Sequence, residues 1–213
     1  MGRGKVLSEF ESKNFLREAK ISVCKEKIVN NIMELKNVLE ELGFPVAIKG
    51  CMEGLAHKSE QNLVFLHVKS IDEAEKIYQD IKNKIPEAQI LVQEMVDNRR
   101  EVVVGFIRDK IMGPCVMFGL GGIFTEILKD VTFRLAPITK DEALEMLEDI
   151  KGKKILESVR GLPPVNKDAL ADIVVKISQL GSSNEKIKEI DINPICFNKK
   201  GLPVVVDSSI IVE

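Results

Sequence analysis

Two short segments near the carboxyl end, residues 190–194 and 204–207, carry oxygen-bearing side chains at a spacing that suits a β-hairpin. Both are rich in β-branched residues, and a turn-forming run lies between them. A turn midway between the segments sets Asn193 opposite Asp207, and strand alternation places Asp191 on the same face. Because opposed Cβ atoms lie about 5 Å apart, two oxygens can share one hard cation such as Mg²⁺. The alternative is a polar strand face that contacts only solvent.

Two further side chains suit phosphate chemistry. Lys49 ends a predicted strand, residues 44–49, beside a glycine-containing loop, where an ammonium can bind phosphate oxygens as a point charge. His57 lies in the polar segment that follows, where a neutral imidazole can attack phosphorus. The adjacent positive charge of Lys58 favours that neutral form. Each residue also has a simpler interpretation: a solvated lysine at a strand end, and an exposed histidine without a chemical role.

Two other runs can contact a nucleotide through their backbone. Glu94, Met95 and Val96 end a predicted strand, where backbone groups can bind an adenine edge and apolar side chains its face. Gly121 and Gly122 belong to a glycine-rich run whose N–H groups can approach phosphate oxygens. An ordinary strand end and a tight turn explain the same residues equally well. No G-x-G-x-x-G or Walker lysine pattern occurs, so the sequence favours neither a Rossmann nor a P-loop nucleotide site.

Charge and hydropathy narrow the classes of partner. The 213 residues include 31 basic and 33 acidic side chains, interspersed along the chain, so no basic stripe indicates nucleic acid and no polybasic block indicates a membrane surface. No apolar run approaches the roughly 20 residues of a membrane span, and we expect a cytoplasmic protein. The four cysteines lack C-x-x-C spacing, which argues against a zinc knuckle and predicts small buried side chains. Small molecules or other proteins are the expected partners.

Helix and strand patterns alternate along the first half of the chain. Apolar stripes predict helices over residues 8–19 and 31–42. A capping box at Ser70–Glu73 opens another helix, and its inward residues are expected to be Ala74, Ile77, Tyr78 and Ile81. Thr139 and Asn166 open two more helices. The last of these helices is expected to end at Gly181. His67 alternates with apolar neighbours, which predicts a structural role in the core. Alternation predicts strands over 44–49, 63–68, 90–96, 101–107 and 112–118, and the last two are expected to form a hairpin.

These elements predict an α+β protein with two α/β lobes joined near residue 96. An N-terminal helix, residues 1–22, is expected to pack on the larger lobe. The smaller lobe covers residues 23–96, and the larger lobe covers residues 97–213 and contains the oxygen-bearing hairpin. A nucleotide cleft between the lobes follows naturally from this arrangement, because ligand sites concentrate where two folded parts of a chain meet.

Several short runs, taken in order, resemble those of one family, and the likeness covers nearly the whole chain. The runs are Ser8–Lys13, Phe44–Lys49, Ala56–Ser59, Val92–Val96, Met117–Phe124, Phe133–Pro137, Arg160–Gly161 and Asp191–Pro194 with Asp207. The sequence is similar to the ATP-grasp β subunit of the NDP-forming acyl-CoA synthetases, in particular ADP-forming acetyl-CoA synthetase, and more distantly succinyl-CoA synthetase. The resemblance implies an ATP-grasp fold with the nucleotide in the cleft between the lobes.

The resemblance also implies a role for several residues in binding Mg²⁺ and ATP or ADP. In this family a partner α subunit, or a fused α region, binds CoA and bears another histidine. The chain is therefore expected to act as an acid–CoA ligase together with a CoA-binding α subunit, in a hetero-oligomer. His57 is then expected to carry phosphate between that phosphohistidine and ADP. The implied contacts are Lys49 with the nucleotide phosphates, Glu94 and Val96 with adenine, and Asn193 and Asp207 with Mg²⁺.

One departure from the family pattern follows His57. The family usually has Asp-x-Gly-Gly there, whereas this chain reads Glu60-Gln61-Asn62-Leu63, which removes two glycines and their close backbone approach. A non-catalytic nucleotide-sensing or assembly subunit with a degenerate site is therefore the alternative function. An ATP-grasp carboxylate–amine ligase is a third, disfavoured because that reaction needs no phosphohistidine. The chain lacks a dinucleotide-type fingerprint for CoA, so we expect the partner chain to supply the CoA site.

Overall fold

The computed structural model describes residues 4–51, 63–96, 99–122, 129–159 and 161–213. The helices along the chain are α1 (Glu9–Glu18), α2 (Ile32–Leu42), α3 (Ile71–Lys84), α4 (Lys140–Asp149) and α5 (Lys167–Ser183), with a 3-10 turn at Lys153–Leu156. The strands are β1 (Lys5–Val6), β2 (Glu26–Val29), β3 (Val46–Cys51), β4 (Val64–Val68), β5 (Gln89–Glu94), β6 (Val102–Asp109), β7 (Gly113–Leu120), β8 (Val131–Leu135), β9 (Ile187–Phe197), β10 (Pro203–Val205) and β11 (Ser209–Val212).

The chain divides into two compact units. The larger unit contains Met1–Leu7, Ser12–Val23 and Val96–Glu213, and the smaller unit contains Ser8–Glu11 and Cys24–Met95. Every strand pair in either unit is antiparallel. Helices therefore pack on antiparallel sheets in both units, which is the α+β arrangement that the sequence predicts.

The smaller unit is a four-stranded sheet in the order β2-β5-β3-β4, with α2 and α3 packed on it. Asn31 caps α2 by accepting a hydrogen bond from the Glu34 N–H, and Gly43 ends the helix at a positive φ of 72°. Ser70 caps α3, whose predicted inward residues are all buried. The second half of the predicted capping box is wrong, because the Glu73 carboxylate accepts from the Lys69 N–H. The inward residues of α3 are Ala74, Ile77, Tyr78 and Ile81.

The predicted core position of His67 is wrong. The pairing of β3 with β4 shifts register between Val46 and Ile48, and this bulge breaks the regular alternation of inward and outward side chains. His67 takes a positive φ of 58° at the bulge and lies exposed at the surface. Strand alternation assumes an unbroken strand, so it cannot predict that His67 is exposed.

The larger unit has a seven-stranded sheet in the order β1-β11-β9-β6-β7-β8, with β10 also paired to β9. The hairpin predicted from residues 101–118 is confirmed, because β6 and β7 pair from Val102↔Leu120 to Asp109↔Gly113. Helices α4 and α5 pack on this sheet. The apolar core combines alternate residues of β6, β7 and β9 with the inward residues of both helices.

Helix α5 passes through the glycine that was expected to end it. The helix continues to Ser183, and Gly181 lies against the Phe106 ring, where a Cβ atom would approach ring carbons to 2.5 Å. Arg108 instead closes the helix end, since its guanidinium donates to the carbonyls of Gly181, Asn184 and Ile187 at 2.5, 3.2 and 3.2 Å. This glycine is thus required by packing and not by helix termination.

Two sequence-based expectations about composition can be compared with the structure. All four cysteines are buried, in agreement with the prediction. Within the described ranges, no helix combines the length and the apolar character needed to cross a membrane.

Candidate functional site

The hairpin predicted near the carboxyl end is formed by β9 and β10. Its pairs are Pro203↔Phe197, Val204↔Cys196 and Val205↔Ile195. The Gly201 N–H closes the turn by donating to the Asn198 carbonyl at 2.8 Å. The Val206 N–H extends the ladder by donating to the Pro194 carbonyl at 3.1 Å.

The same register continues into β11 and fixes the position of Asp207. Ser209 pairs with Asp191 on β9, so the residue pairs on both sides of Asp207 follow one alignment. This alignment sets Asp207 across from Asn193, as the sequence analysis expected. Asp191 and Asn193 are half-buried while their neighbour Ile192 is fully buried, so strand alternation separates the oxygen-bearing face from the core.

Carboxylates concentrate on this oxygen-bearing face. Burial, followed by the negative charges of Glu189 and Asp207, raises the pKa of Asp191 to about 6. A cation near these carboxylates would offset their mutual repulsion. In the part of the chain that the structure describes, no three His, Cys, Asp or Glu side chains form a ready-made metal cluster. The amide oxygen of Asn193 and the neighbouring carboxylate oxygens are groups that can hold a hard cation, whose remaining positions water and phosphate oxygens can fill.

The glycine run is joined directly to this face. The Gly122 N–H donates to the Asn193 Oδ1 at 3.0 Å, and the Gly121 N–H donates to the Glu101 carbonyl at 2.9 Å. A Cβ atom on Gly121 would lie 2.7 Å from the Val102 carbonyl carbon, and Gly122 has a positive φ of 61°. Close backbone packing therefore requires both glycines, and each N–H already has an acceptor within the protein.

Lys49 occupies a different environment from the one predicted. The lysine is not at the end of its strand, because β3 continues to Cys51. Its side chain is only 4% exposed, and its Nζ lies 2.7 Å from the Oε1 of Glu9, which is fully buried. Cys51 Sγ approaches the other Glu9 oxygen at 4.0 Å. Glu9 belongs to the run Ser8–Lys13, but nothing in the local sequence marks it as the counterion of Lys49.

The three residues expected at the adenine pocket follow one another at the end of β5. Glu94 pairs with the segment before β2, since its N–H donates to the Lys25 carbonyl at 2.9 Å and its carboxylate accepts from the Lys25 N–H at 2.8 Å. Met95 and Val96 are half-buried. The proposed catalytic residue His57 lies outside the described residues, in the range 52–62.

Comparison with known proteins identifies relatives across the whole chain. Residues 2–212 match the family model described as ATP-grasp domain. The chain is 44% identical to the β subunit of ADP-forming acetate–CoA ligase I from Pyrococcus furiosus, over 96% of this chain and 91% of that protein. It is 38% identical to ADP-forming acetate–CoA ligase I from Archaeoglobus fulgidus over 87% of this chain, although the match covers 28% of that longer protein.

A solved structure has the same fold. The acetyl-coenzyme A synthetase 1 of Candidatus Korarchaeum cryptofilum, in complex with CoA, Ca-AMPCP and HgCl⁺, superposes with a TM-score of 0.90 and 37% identity, covering 98% of this chain and 94% of that one. A second complex of that protein contains CoA and Mg-AMPPCP, with its phosphohistidine segment pointing towards the nucleotide-binding site, and has a TM-score of 0.85 at 37% identity over 100% and 94% of the two chains. With its family match, its close relatives and its α+β architecture in agreement, this chain belongs to the ATP-grasp family, as the resemblance predicted.

Proposed function

We propose that this chain is the nucleotide-binding β subunit of an ADP-forming acyl-CoA synthetase, most simply an acetate–CoA ligase. One observation carries the proposal. This chain is 44% identical to such a β subunit over 96% of its length. The register of its hairpin, which sets Asn193 across from Asp207, agrees with that identity. The reaction that we propose exchanges acyl-CoA, ADP and phosphate with the free acid, CoA and ATP.

Asn193 and Asp207 are the protein ligands that we propose for Mg²⁺. An amide oxygen and a carboxylate oxygen suit this ion, and when bound it neutralises charge on the nucleotide phosphates. The bond from Gly122 holds the Asn193 amide in place. Asp191 makes the electrostatic potential of the same face more negative, but we do not assign it as a ligand.

The nucleotide contacts that we propose use residues from several strands. Lys49 would meet the phosphates, and the buried Glu9 carboxylate that lies 2.7 Å away keeps its ammonium charged and oriented. Glu94, Met95 and Val96 would line the adenine pocket through backbone groups and apolar side chains. Gly121 and Gly122 would lie beside the phosphates, because the Gly122 N–H is hydrogen-bonded to the proposed ligand Asn193.

His57 is the residue that we propose to carry the phosphoryl group. In the direction of ATP synthesis, the N–P bond of phosphorylated His57 breaks and a β-phosphate oxygen of ADP forms the new O–P bond. The ring leaves as neutral imidazole when its other nitrogen carries a proton, and the attacking β-phosphate oxygen of ADP is already an anion, so no base is needed to activate it. Catalysis of such a transfer rests mainly on positioning and on charge neutralisation.

The carboxylic acid and CoA are proposed to bind a partner chain. The P. furiosus relative bears the name of a subunit β, and the A. fulgidus relative is a longer protein of which the match covers 28%. Both facts support a second, CoA-binding part that is separate from this chain. We therefore propose a hetero-oligomer of this chain with a CoA-binding α subunit.

The proposal can be tested by following phosphate onto His57. The chain is incubated with Mg²⁺ and ATP labelled at the γ-phosphate, with and without its co-purified partner, and protein-bound label is tested for acid lability and base stability. We expect label on His57 and none on a His57→Ala variant that still binds nucleotide. Nucleotide binding without any histidine label, even with the partner present, would refute phosphate transfer and favour the nucleotide-sensing alternative.

A further inference from the structure

A concavity of about 250 Å³ lies in the larger unit, beside the β9–β10 turn. Eight residues line it, contributed by the segments 99–100, 161–163 and 197–199. Three of these described lining residues are cationic and none is acidic. We call this concavity the basic pocket. Phe197 at its wall lies four residues beyond Asn193 on β9, which corresponds to about 13 Å along an extended strand.

A fixed positive charge forms one wall of the basic pocket. Arg100 is only 5% exposed, and its Nη1 donates to the carbonyls of Glu157 and Ile155 at 3.2 and 3.5 Å. Its Cζ lies 5.5 Å from the centre of the Phe197 ring, in a cation–π contact. These contacts hold the guanidinium in one position, so its charge acts on the pocket without any rearrangement.

The turn that carries Lys199 is also fixed. The Asn198 Oδ1 accepts from the Lys200 and Leu202 N–H groups at 2.9 and 3.1 Å. The Asn166 N–H donates to the Gly201 carbonyl at 2.9 Å. This bond connects the turn to the segment that follows lining residues 161–163. A Cβ atom on Gly201 would lie 2.2 Å from the Pro164 carbonyl oxygen, so the two segments pack backbone to backbone.

The charge of the basic pocket is opposite to that of the protein as a whole. The chain has a formal net charge of −2, yet Arg99, Arg100 and Lys199 line one concavity, and none of its described lining residues is acidic. Cationic side chains that line one concavity create a positive potential there, which attracts anions. Leu162 and Pro163 add an apolar wall on one side.

We propose that the basic pocket binds a phosphoryl group of a small phosphorylated ligand, at a site separate from the one that we propose for the nucleotide. Arg99 and Lys199 contact the phosphoryl oxygens, and Arg100 supplies a fixed charge behind them. The pocket has the volume of about eight liquid-water molecules at roughly 30 Å³ each, so it also has room for a compact organic body against Leu162 and Pro163. This site does not depend on the proposed transfer of phosphate through His57.

The test is an NMR titration of the ¹⁵N-labelled full-length chain in EDTA, which prevents any Mg²⁺-dependent binding. Inorganic phosphate and phenyl phosphate are the two probes. We expect saturable shifts of the amides at 161–163 and 197–199 with either probe. Tighter binding of phenyl phosphate would indicate an organic ligand that uses the apolar wall, and tighter binding of inorganic phosphate would indicate the free anion; both orders support the site.

Matched variants locate the binding. Arg99→Gln and Lys199→Gln should each weaken phosphate binding about tenfold, because each removes a charge-assisted contact. Lys200→Gln, which changes an exposed lysine in the same turn that does not line the pocket, should bind like the unaltered chain. ADP affinity should be the same in all three variants.

Three results would overturn the proposal. The first is the absence of saturable shifts at these amides up to about 100 mM probe, a concentration far above a useful affinity. The second is equal weakening in the Lys199 and Lys200 variants, which would mean non-specific attraction. The third is loss of ADP affinity in the Arg99 or Lys199 variant, which would make the basic pocket part of the nucleotide site.

Discussion

Replacement of Asp191 by Asn should make the metal-free protein more stable at neutral pH. Burial and the charges of Glu189 and Asp207 raise the pKa of Asp191 from 3.8 to about 6. The folded protein therefore holds this proton more tightly than the unfolded chain does. Below about pH 4 the carboxyl is protonated in both states and contributes no penalty, whereas above about pH 6 it is ionised in both and the folded state is penalised.

The size of the penalty follows from the shift in pKa. The shift is about two pKa units, and each unit corresponds to about 1.4 kcal/mol, so the ionised carboxylate destabilises the folded state by about 3 kcal/mol. Asn has nearly the same shape and no charge. We expect Asp191→Asn to raise the free energy of unfolding by about 2–3 kcal/mol near pH 7.5 and to change it little near pH 4.

Urea unfolding followed by circular dichroism in EDTA measures this difference. Glu185→Gln, which changes an exposed acidic residue in the loop before β9, is a suitable control and should shift the free energy of unfolding by less than about 0.5 kcal/mol. If Asp191→Asn gives no gain near pH 7.5, or the same gain near pH 4, the electrostatic account of this face is wrong. A direct NMR titration of Asp191 with a midpoint near its ordinary value would lead to the same conclusion.

Three other perturbations address the remaining proposals. Glu9→Gln removes the carboxylate that neutralises the buried Lys49, so it should lower the free energy of unfolding by about 3 kcal/mol in a denaturant titration. The control Glu41→Gln breaks an exposed ion pair and should change the free energy of unfolding by about 0.5 kcal/mol or less. Equal effects of the two variants would contradict a role for burial. Asp207→Ala should weaken Mg-ATP binding about tenfold or more by calorimetry through loss of one proposed ligand, and an unchanged titration would remove Asp207 from the ligand set. His57→Ala should abolish turnover of the complex with its partner while leaving nucleotide affinity nearly intact, so normal turnover would refute the phosphate relay.

Local sequence signals predicted the parts of the fold that depend on neighbours in the chain. Asn31 and Gly43 mark the ends of α2 because a side-chain cap and a positive φ are local requirements. The register of Asn193 with Asp207 followed from a single turn, since one turn aligns every residue of a hairpin. These successes share one cause: the determining residues lie within a few positions of the structure that they determine.

The features that escaped prediction depend on distant partners or on very short segments. Glu9 meets Lys49 across 40 positions of sequence, and no local pattern indicates such a pair. Gly181 resembles a helix stop until the Phe106 ring is placed beside it. Strands such as β2 and β8 have four and five residues, with charged side chains among them, so their alternation is too brief to recognise without the neighbouring strands.

The hydrogen bond between Gly122 and Asn193 would make the glycine run an internal reporter of the metal site that we propose. An amide oxygen has two lone pairs, so Asn193 can accept from the Gly122 N–H and coordinate an ion at the same time. Any ion that draws electron density from this oxygen changes the strength of the bond, and with it the rate at which the Gly122 proton exchanges with solvent. Hydrogen exchange at that one amide would thus report average occupancy of the site, with neither a labelled nucleotide nor an assay of turnover.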